Sequence, residues 1–297
     1  MICAESTSSF PNMEVGQGLR TNIPPEALPE LRLVPSECCV LHETVDPRRV
    51  ARLLARLRDD DMLRNPPIVA AVPGGDAWMV LDGATRTTAL RELGYQAIPA
   101  QIVDYDAPRI ELHTWAHMLH DLPLGAFMHM LRRLDGLHVR QIVDVATLDR
   151  SARGGLLCAV VAADGAAWAV HTDGTIHDQA RLLDQVFRSY AGRASVQRVP
   201  DDVLPSPAQL PSGAALIVFP RYTKADLLDL VRVDGILPAG ITRHIIPGRV
   251  LRLHVPLAAL RRGTFAAQSA WFDAWIAQRI AGQHARLYRE PTWLFDE

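Results

Sequence analysis

Apolar positions in "DPRRVARLLARLRDD" recur at Val50, Leu53, Leu54 and Leu57, the i, i+3, i+4, i+7 spacing that lays one stripe along a helix. Asp46 stands where an N-cap belongs and Pro47 at the first helical position. "PPIVAAV" and "AWMVLDG" are short apolar runs divided by "PGGD", which predicts two strands about a hairpin turn. "TRTTALREL" predicts a helix with Ala89, Leu90 and Leu93 inward, and Gly94 suits the position just past its end. "IPAQIVDY" reads as a further strand. Upstream, Leu31 to Val34 and Cys39 to Leu41 read as two short strands, the first ended by Pro35 and the second by His42 and Glu43. Residues 31–105 therefore form one compact α/β unit.

The next stretch, 106–150, reads as helical, with "LGAFMHMLRRL" its strongest segment. A second α/β region follows. "LLCAVVA" and "AAWAVH" form a hairpin about "ADG", "DQARLLDQVFRSYAG" a helix, and "AALIVFP" a strand. "YTKADLLDLVRVDG" is a helix opened by Thr223, with Asp226 three residues on in the manner of a capping box. "RVLRLHVPL" alternates as a strand, and "AAQSAWFDAWIAQRIAG" closes the chain as an amphipathic helix with Trp271, Trp275 and Ile276 packed. "VPDDVLPSPAQLPSG" is a proline-rich loop. The expected fold class is α/β (α+β), in three parts: a disordered segment 1–29, a first domain 30–120, and a mixed α/β region 121–297.

Composition narrows the function classes. The 297 residues exceed one small core, are 48% hydrophobic and 22% charged, and carry a net charge of −2 from 31 basic and 33 acidic side chains. That balance argues against a dedicated nucleic-acid binder. Cys3, Cys38, Cys39 and Cys158 form no C-x-x-C pair and read as reduced thiols of a cytoplasmic protein. No apolar run reaches the roughly 18 residues of a membrane span, and the polar start "MICAESTSSFPNMEVGQG" is not a secretory signal.

One junction concentrates chemistry. In "LDGATRTTALRELG" a strand ends at Asp82 and Gly83 and drops at once into a helix. A helix start offers unpaired N–H groups and the positive end of its dipole, a ready anion site. Gly83 admits close approach of a phosphate, Ala84 adds no bulk, Thr85, Thr87 and Thr88 add hydroxyls, and Arg86 adds a bidentate fork. Asp82 lies at a strand's C-terminal end, where a carboxylate beside a phosphate cradle suits Mg²⁺. An ordinary strand–helix turn, with Asp82 as cap and Arg86 solvated, fits the same residues, and local physics leaves the two readings level.

The same stretch, continued to "YQAIPAQIVDY", resembles the D-G-x-x-R-x-x-A-x-x-x-L-G signature of the ParB/sulfiredoxin-like fold, whose members hold nucleotide phosphates on this turn. The cysteine that sulfiredoxins carry here is Ala84 or Thr85 in this chain, and the helix-turn-helix modules of partition proteins are not evident. Four stretches are similar to the free L-serine kinase family: "LRLVPSECCVLHETVDPRRV", "LDGATR", "HTWAHML" and "LPAGITRHIIPGRVLRLHVPLAAL". Thr85 stands where family members often carry His. The resemblance implies a ParB/sulfiredoxin-like nucleotide-binding domain followed by a substrate region. It implies Mg²⁺ and ATP or ADP, and phosphoryl transfer to free L-serine giving O-phospho-L-serine for siderophore or other amino-acid-derived synthesis.

The resemblance puts the general base on Glu43, which without it reads as a solvated loop acid. Arg243, set between two expected strands in "AGITRHIIPG", reads as a clamp for an amino-acid carboxylate, with Thr242 adding a hydroxyl. Lys224 at a helix start could reach a phosphate. Trp115 would wall the pocket and His117 touch substrate. His113 and His117, at i and i+4 of an expected helix, lack the H-E-x-x-H and third ligand of a zinc site. The rival reading is a ParB-like nucleotide-dependent DNA-binding regulator, against which the near-neutral charge weighs. The expected partners are nucleotide and free L-serine, with no membrane; a homodimer is compatible.

Overall fold

The computed structural model describes residues 28–288; the N-terminal segment expected to be disordered lies, up to residue 27, outside the described residues. In chain order the first elements are β1 (Glu30–Pro35), β2 (Cys39–Leu41), α1 (Pro47–Asp60), β3 (Met62–Leu63), β4 (Ile68–Ala71), β5 (Trp78–Asp82), α2 (Ala84–Glu92) and β6 (Ala97–Ile102). Then come β7 (Glu111–His120), α3 (Leu124–Leu131), β8 (His138–Ile142), β9 (Leu156–Ala162), β10 (Ala167–His171) and α4 (Ile176–Tyr190). The chain continues through β11 (Ser195–Pro200), β12 (Ala215–Val218), α5 (Lys224–Arg232), β13 (Thr242–Ile245), β14 (Val255–Pro256) and α6 (Phe265–Ala281).

The chain divides into two units, each discontinuous in sequence: among the described residues 28–39, 50–103 and 248–288 form the first, and 40–49 with 104–247 the second. The sequence expectation drew a single boundary near residue 120. In the first unit β6 pairs antiparallel with β1 and parallel with β4, and β4 pairs antiparallel with β5 across the expected Pro-Gly-Gly-Asp hairpin. Its core holds Val34, Val50, Leu57, Val69, Met79, Leu90, Ile98 and Phe272, all nearly inaccessible. α6 lies on β1, with Phe272 buried and Trp271 and Trp275 stacked at 5.9 Å.

The second unit is built on one antiparallel sheet in the order β11-β7-β12-β9-β10-β8, with β13 also pairing β7. α3, α4 and α5 pack together, α4 against β9, burying Leu183, Val186, Tyr190, Leu227 and Leu230. Thr223 caps α5 reciprocally with Asp226 as expected, and Thr175 caps α4 in the same way with Asp178.

Three expectations fail. Residues 111–120 are a strand, not helix: β7 lies between partners, so Thr114, Ala116, His117 and Leu119 are all buried and the usual alternation is lost. Arg243 lies within β13 rather than between strands. The segment 249–257 carries only the two-residue β14, because Arg252 and His254 take left-handed backbone angles of 55° that break an extended run. Among the described residues no helix is long and apolar enough to cross a membrane. The cysteines described, Cys38, Cys39 and Cys158, are buried thiols that form no disulfide, and burial pushes the Cys39 thiol up to about 11.

Candidate functional site

In the second unit the chain brings Glu43 onto the loop entering β13. Thr44 N–H donates to Leu237 O at 2.8 Å and Leu237 N–H donates to His42 O at 2.8 Å, a parallel bridge that fixes Glu43 between them. Gly240 N–H then donates to Glu43 Oε2 at 2.8 Å. Oε1 accepts from Ile241 N–H at 3.0 Å, from Thr242 N–H, and from the Thr242 hydroxyl at 2.7 Å. Three consecutive amides thus form a nest around one carboxylate. The two oxygens are unequal: Oε1 takes three hydrogen bonds, while Oε2 takes one and keeps room for another donor.

Behind this nest lies a buried polar chain that the sequence reading missed. Thr242 Oγ1 spends its proton on Glu43, so the His42 Nε2 contact at 2.8 Å must be donated by the histidine. His244 meets His42 edge to face at 5.2 Å, and its Nε2 lies 3.0 Å from the Tyr105 hydroxyl. Burial raises the Tyr105 pKa, so that phenol stays protonated and acts as the donor. Thr242 and His244 are buried on one side of β13, and Arg243 alternates to the other. The only sequence signal was adjacency: His42 precedes Glu43, and His244 follows Thr242 by two.

His117 is no pocket wall. It is 1% exposed, and both ring nitrogens are engaged: Nε2 with the Gly240 carbonyl at 2.9 Å and Nδ1 with the Tyr190 hydroxyl at 2.9 Å. A carbonyl only accepts, so Nε2 carries the proton and Nδ1 accepts from Tyr190. Desolvation lowers the pKa of His117 to about 4, leaving the ring neutral at neutral pH. It therefore holds the nest loop from behind instead of touching substrate. His113 sits with Glu111 at 2.9 Å, and a strand separates it from His117 by four extended residues, so the expected helical pairing does not exist.

The other candidates of this unit are engaged as follows. Trp115 N–H donates to Ile241 O at 2.8 Å, and its half-buried ring lies 5.0 Å beneath the Arg243 guanidinium. Arg243 also pairs with Asp202 at 3.2 Å. Lys224 Nζ donates to the Ala107 carbonyl at 3.1 Å and lies 5.4 Å from the Tyr105 ring centre. A groove of about 1060 Å³, lined in part by Leu148, Arg150, Asp201, Leu204 and Arg221, is bordered by neither Glu43 nor the 240–242 loop.

In the first unit Gly83 takes a left-handed φ of 93° between β5 and α2, a conformation that favours glycine. Thr87 N–H donates the first helical bond, to Gly83 O at 2.9 Å, which leaves the amides of Ala84, Thr85 and Arg86 without helical partners. Arg86 folds back over the glycine: a Cβ there would sit 3.0 Å from the guanidinium carbon. Its Nη1 donates to Asn65 O and Pro66 O at 3.0 and 2.8 Å, and its Nη2 to Asp82 Oδ2 at 2.9 Å. Arg86 is thus a brace for the turn, not a free fork. Arg249, unnoticed in the sequence, reaches the same Asp82 oxygen at 2.8 Å. Thr87 is fully buried with an unpartnered hydroxyl, so its expected phosphate contact is replaced by a place inside the unit, while Thr85 stays half exposed.

No group of three or more His, Cys, Asp or Glu side chains able to hold a metal ion occurs among the described residues. Asp82 Oδ1 takes no hydrogen bond among the described residues, so the two arginines leave one carboxylate oxygen of this turn unused.

Comparison with known proteins points in one direction. No family profile matches the chain. It is 28% identical over 272 residues to the ATP-dependent L-serine kinase SbnI of Staphylococcus aureus, covering 90% of this chain and 97% of that one. It is 28% identical to the ATP-dependent L-serine kinase of Desulfurococcus mucosus, over 82% of this chain and 95% of the other. An ADP-dependent L-serine kinase, SerK of Thermococcus kodakarensis, is 24% identical over 74% of this chain and 88% of its own. Among solved structures, SbnI with a C-terminal truncation superposes with a TM-score of 0.67 at 24% identity, covering 84% of this chain and 96% of that one. A free serine kinase in complex with AMP superposes with a TM-score of 0.64 at 21% identity, over 81% of this chain and 97% of that one. These superpositions establish a shared fold.

Proposed function

We infer that this chain belongs to the free L-serine kinase family and transfers a phosphoryl group from a nucleotide to the hydroxyl of free L-serine, giving O-phospho-L-serine. One observation carries the reading. Glu43, which the family resemblance makes the base, and Thr242, whose hydroxyl the sequence offers beside Arg243 as a substrate contact, meet through a 2.7 Å hydrogen bond although 199 residues separate them. A solvated loop acid has no need of three amides and a hydroxyl.

The chemistry follows from the geometry of each unit. The helically unpaired amides of Ala84, Thr85 and Arg86 with the helix dipole behind them hold nucleotide phosphates, and the Arg86 brace holds the turn at Gly83. Arg249 adds a cation beside Asp82. Asp82, through its Oδ1, would hold Mg²⁺, which would supply charge neutralisation on the phosphates. The serine Oγ–H donates to Glu43 Oε2, the oxygen with spare capacity. As Oγ bonds to the terminal phosphorus, the bond from that phosphorus to the nucleotide's leaving oxygen breaks, and the hydroxyl proton passes to Glu43. His117, through Gly240, and His42, through Thr242, hold the base in register. Such transfers are catalysed mainly by positioning and electrostatics, which a rigid nest supplies.

The test is Glu43→Gln. Loss of a general base costs roughly 10²–10⁴ in rate. The variant is expected to bind nucleotide like the wild type, by titration calorimetry, and to form O-phosphoserine at least a hundredfold more slowly. Turnover within threefold of wild type would remove Glu43 from the chemistry.

A further inference from the structure

The serine kinase reading leaves one requirement unmet: a free amino acid carries an α-carboxylate, and the first candidate for binding it, Arg243, is committed to Asp202 and Trp115 on the side of β13 opposite Thr242. Another cation stands against the nest loop itself. Arg198 lies on β11 directly across from His117 of β7, whose ring Nε2 donates to the Gly240 carbonyl. Its guanidinium rests on Gly240: a Cβ at that residue would lie 2.0 Å from Nη2 and 2.3 Å from the guanidinium carbon. Gly240 is therefore glycine for two reasons, its left-handed φ of 80° and the arginine that fills the space a side chain would need. The Gly240 amide is the group that holds Glu43 Oε2, so one glycine's backbone separates the Arg198 guanidinium from the oxygen that takes the serine proton.

Arg198 is nevertheless not the partner of Glu43. All four hydrogen bonds to that carboxylate come from 240–242, and among the described residues the Arg198 guanidinium makes no salt bridge and no hydrogen bond. Its donors are in place and unspent. Arg198 is exposed; desolvation lowers its pKa, the Glu43 charge raises it and the Arg49 charge lowers it, so it senses both charges. Arg49 itself is exposed and faces Asp46 at 3.9 Å.

We propose that Arg198 binds the α-carboxylate of the acceptor and so selects a free amino acid over a serine whose carboxylate is masked. The chemistry fits the spacing. In serine the hydroxyl oxygen and the carboxylate carbon are joined through two carbons only, so an acceptor whose hydroxyl reaches Oε2 must present its carboxylate within one residue's breadth of Gly240. A guanidinium binds a carboxylate through two parallel N–H donors, which fixes orientation as well as position.

The proposal rests on the serine kinase reading, and the experiment separates the two. Wild type, Arg198→Gln and Arg198→Lys are assayed with L-serine and with L-serinamide, which keeps the hydroxyl and lacks the carboxylate, and thermal unfolding of each is recorded. The expected result is a KM for L-serine raised at least tenfold in Arg198→Gln, kcat within threefold, and an intermediate KM in Arg198→Lys. Wild type is expected to prefer serine over serinamide by more than tenfold in kcat/KM, and Arg198→Gln to lose most of that preference. An unchanged KM, an unchanged preference, or a loss confined to kcat would overturn the assignment while leaving the kinase reading intact. Failure of the wild type itself to phosphorylate serine would instead overturn the kinase reading. Should Arg198→Gln not fold, Arg198→Lys with a wild-type KM and preference for serine would count against the proposal.

Discussion

Replacing Thr242 by Val isolates the hydroxyl at the centre of the nest. The substitution keeps the shape and removes two hydrogen bonds, 2.7 Å to Glu43 Oε1 and 2.8 Å from His42 Nε2. Both His42 and Thr242 are more than nine-tenths buried, so water does not readily replace the lost partner. A hydrogen bond to a charged acceptor contributes about 1.5–3 kcal/mol, and a buried donor left without its partner costs about 1–3 kcal/mol. The two overlap, and a combined loss of about 3 kcal/mol is the expected value. For a region the size of the second unit that corresponds to a fall of roughly 6–12 °C in Tm. Glu43 keeps its amide donors but loses the tie on Oε1, so kcat should fall by about tenfold, the equivalent of roughly 1.4 kcal/mol in the barrier. Thr242→Ser retains the hydroxyl and should stay within threefold of wild type in kcat. Calorimetric unfolding and steady-state kinetics of the two variants read both numbers. If Ser and Val behave alike, the hydroxyl has no part in holding Glu43, and the account of the nest is wrong.

Two further outcomes follow from buried groups. His117 is neutral when folded, with its pKa lowered to about 4 against an ordinary 6.5; the unfolded chain therefore binds the extra proton between those values, and stability is lost as pH falls from about 6.5 to about 4, at up to about 1.4 kcal/mol per pH unit. His117→Phe should lower Tm at pH 7, by orphaning Tyr190 and the Gly240 carbonyl, and should flatten that acid dependence in a pH series of unfolding scans; an undiminished slope would locate the titration elsewhere. Gly83→Ala forces a Cβ into a left-handed position beside the Arg86 guanidinium, with a strain of about 1–2 kcal/mol; it should weaken nucleotide binding about tenfold by calorimetry, and unchanged affinity would remove the turn from the nucleotide site.

What the sequence disclosed depended on how local each signal was. The α1 stripe from Val50 to Leu57, the Thr223–Asp226 cap and the Asp82–Gly83 junction are fixed by neighbours within a few positions, and each is found where the pattern put it. β7 was misread because a strand covered on both faces has no alternation to display, and its histidines at four-residue spacing imitated a helical face. Arg86 looked like a ligand because its partners, the carbonyls of Asn65 and Pro66, are backbone atoms that no side-chain pattern reveals. Arg198 was invisible for a related reason. It lies in an edge strand with mostly exposed neighbours, and its meaning comes from a glycine that only the folded chain brings beneath it.

The measurement that bears most directly on the central claim is ³¹P NMR of wild-type protein with Mg²⁺, free L-serine and either ATP or ADP. The account predicts a growing O-phosphoserine resonance matched one for one by loss of the nucleotide's terminal phosphate, and no such loss when serine is omitted. Nucleotide consumed to inorganic phosphate at the same rate with and without serine, or no turnover with either donor, would contradict it.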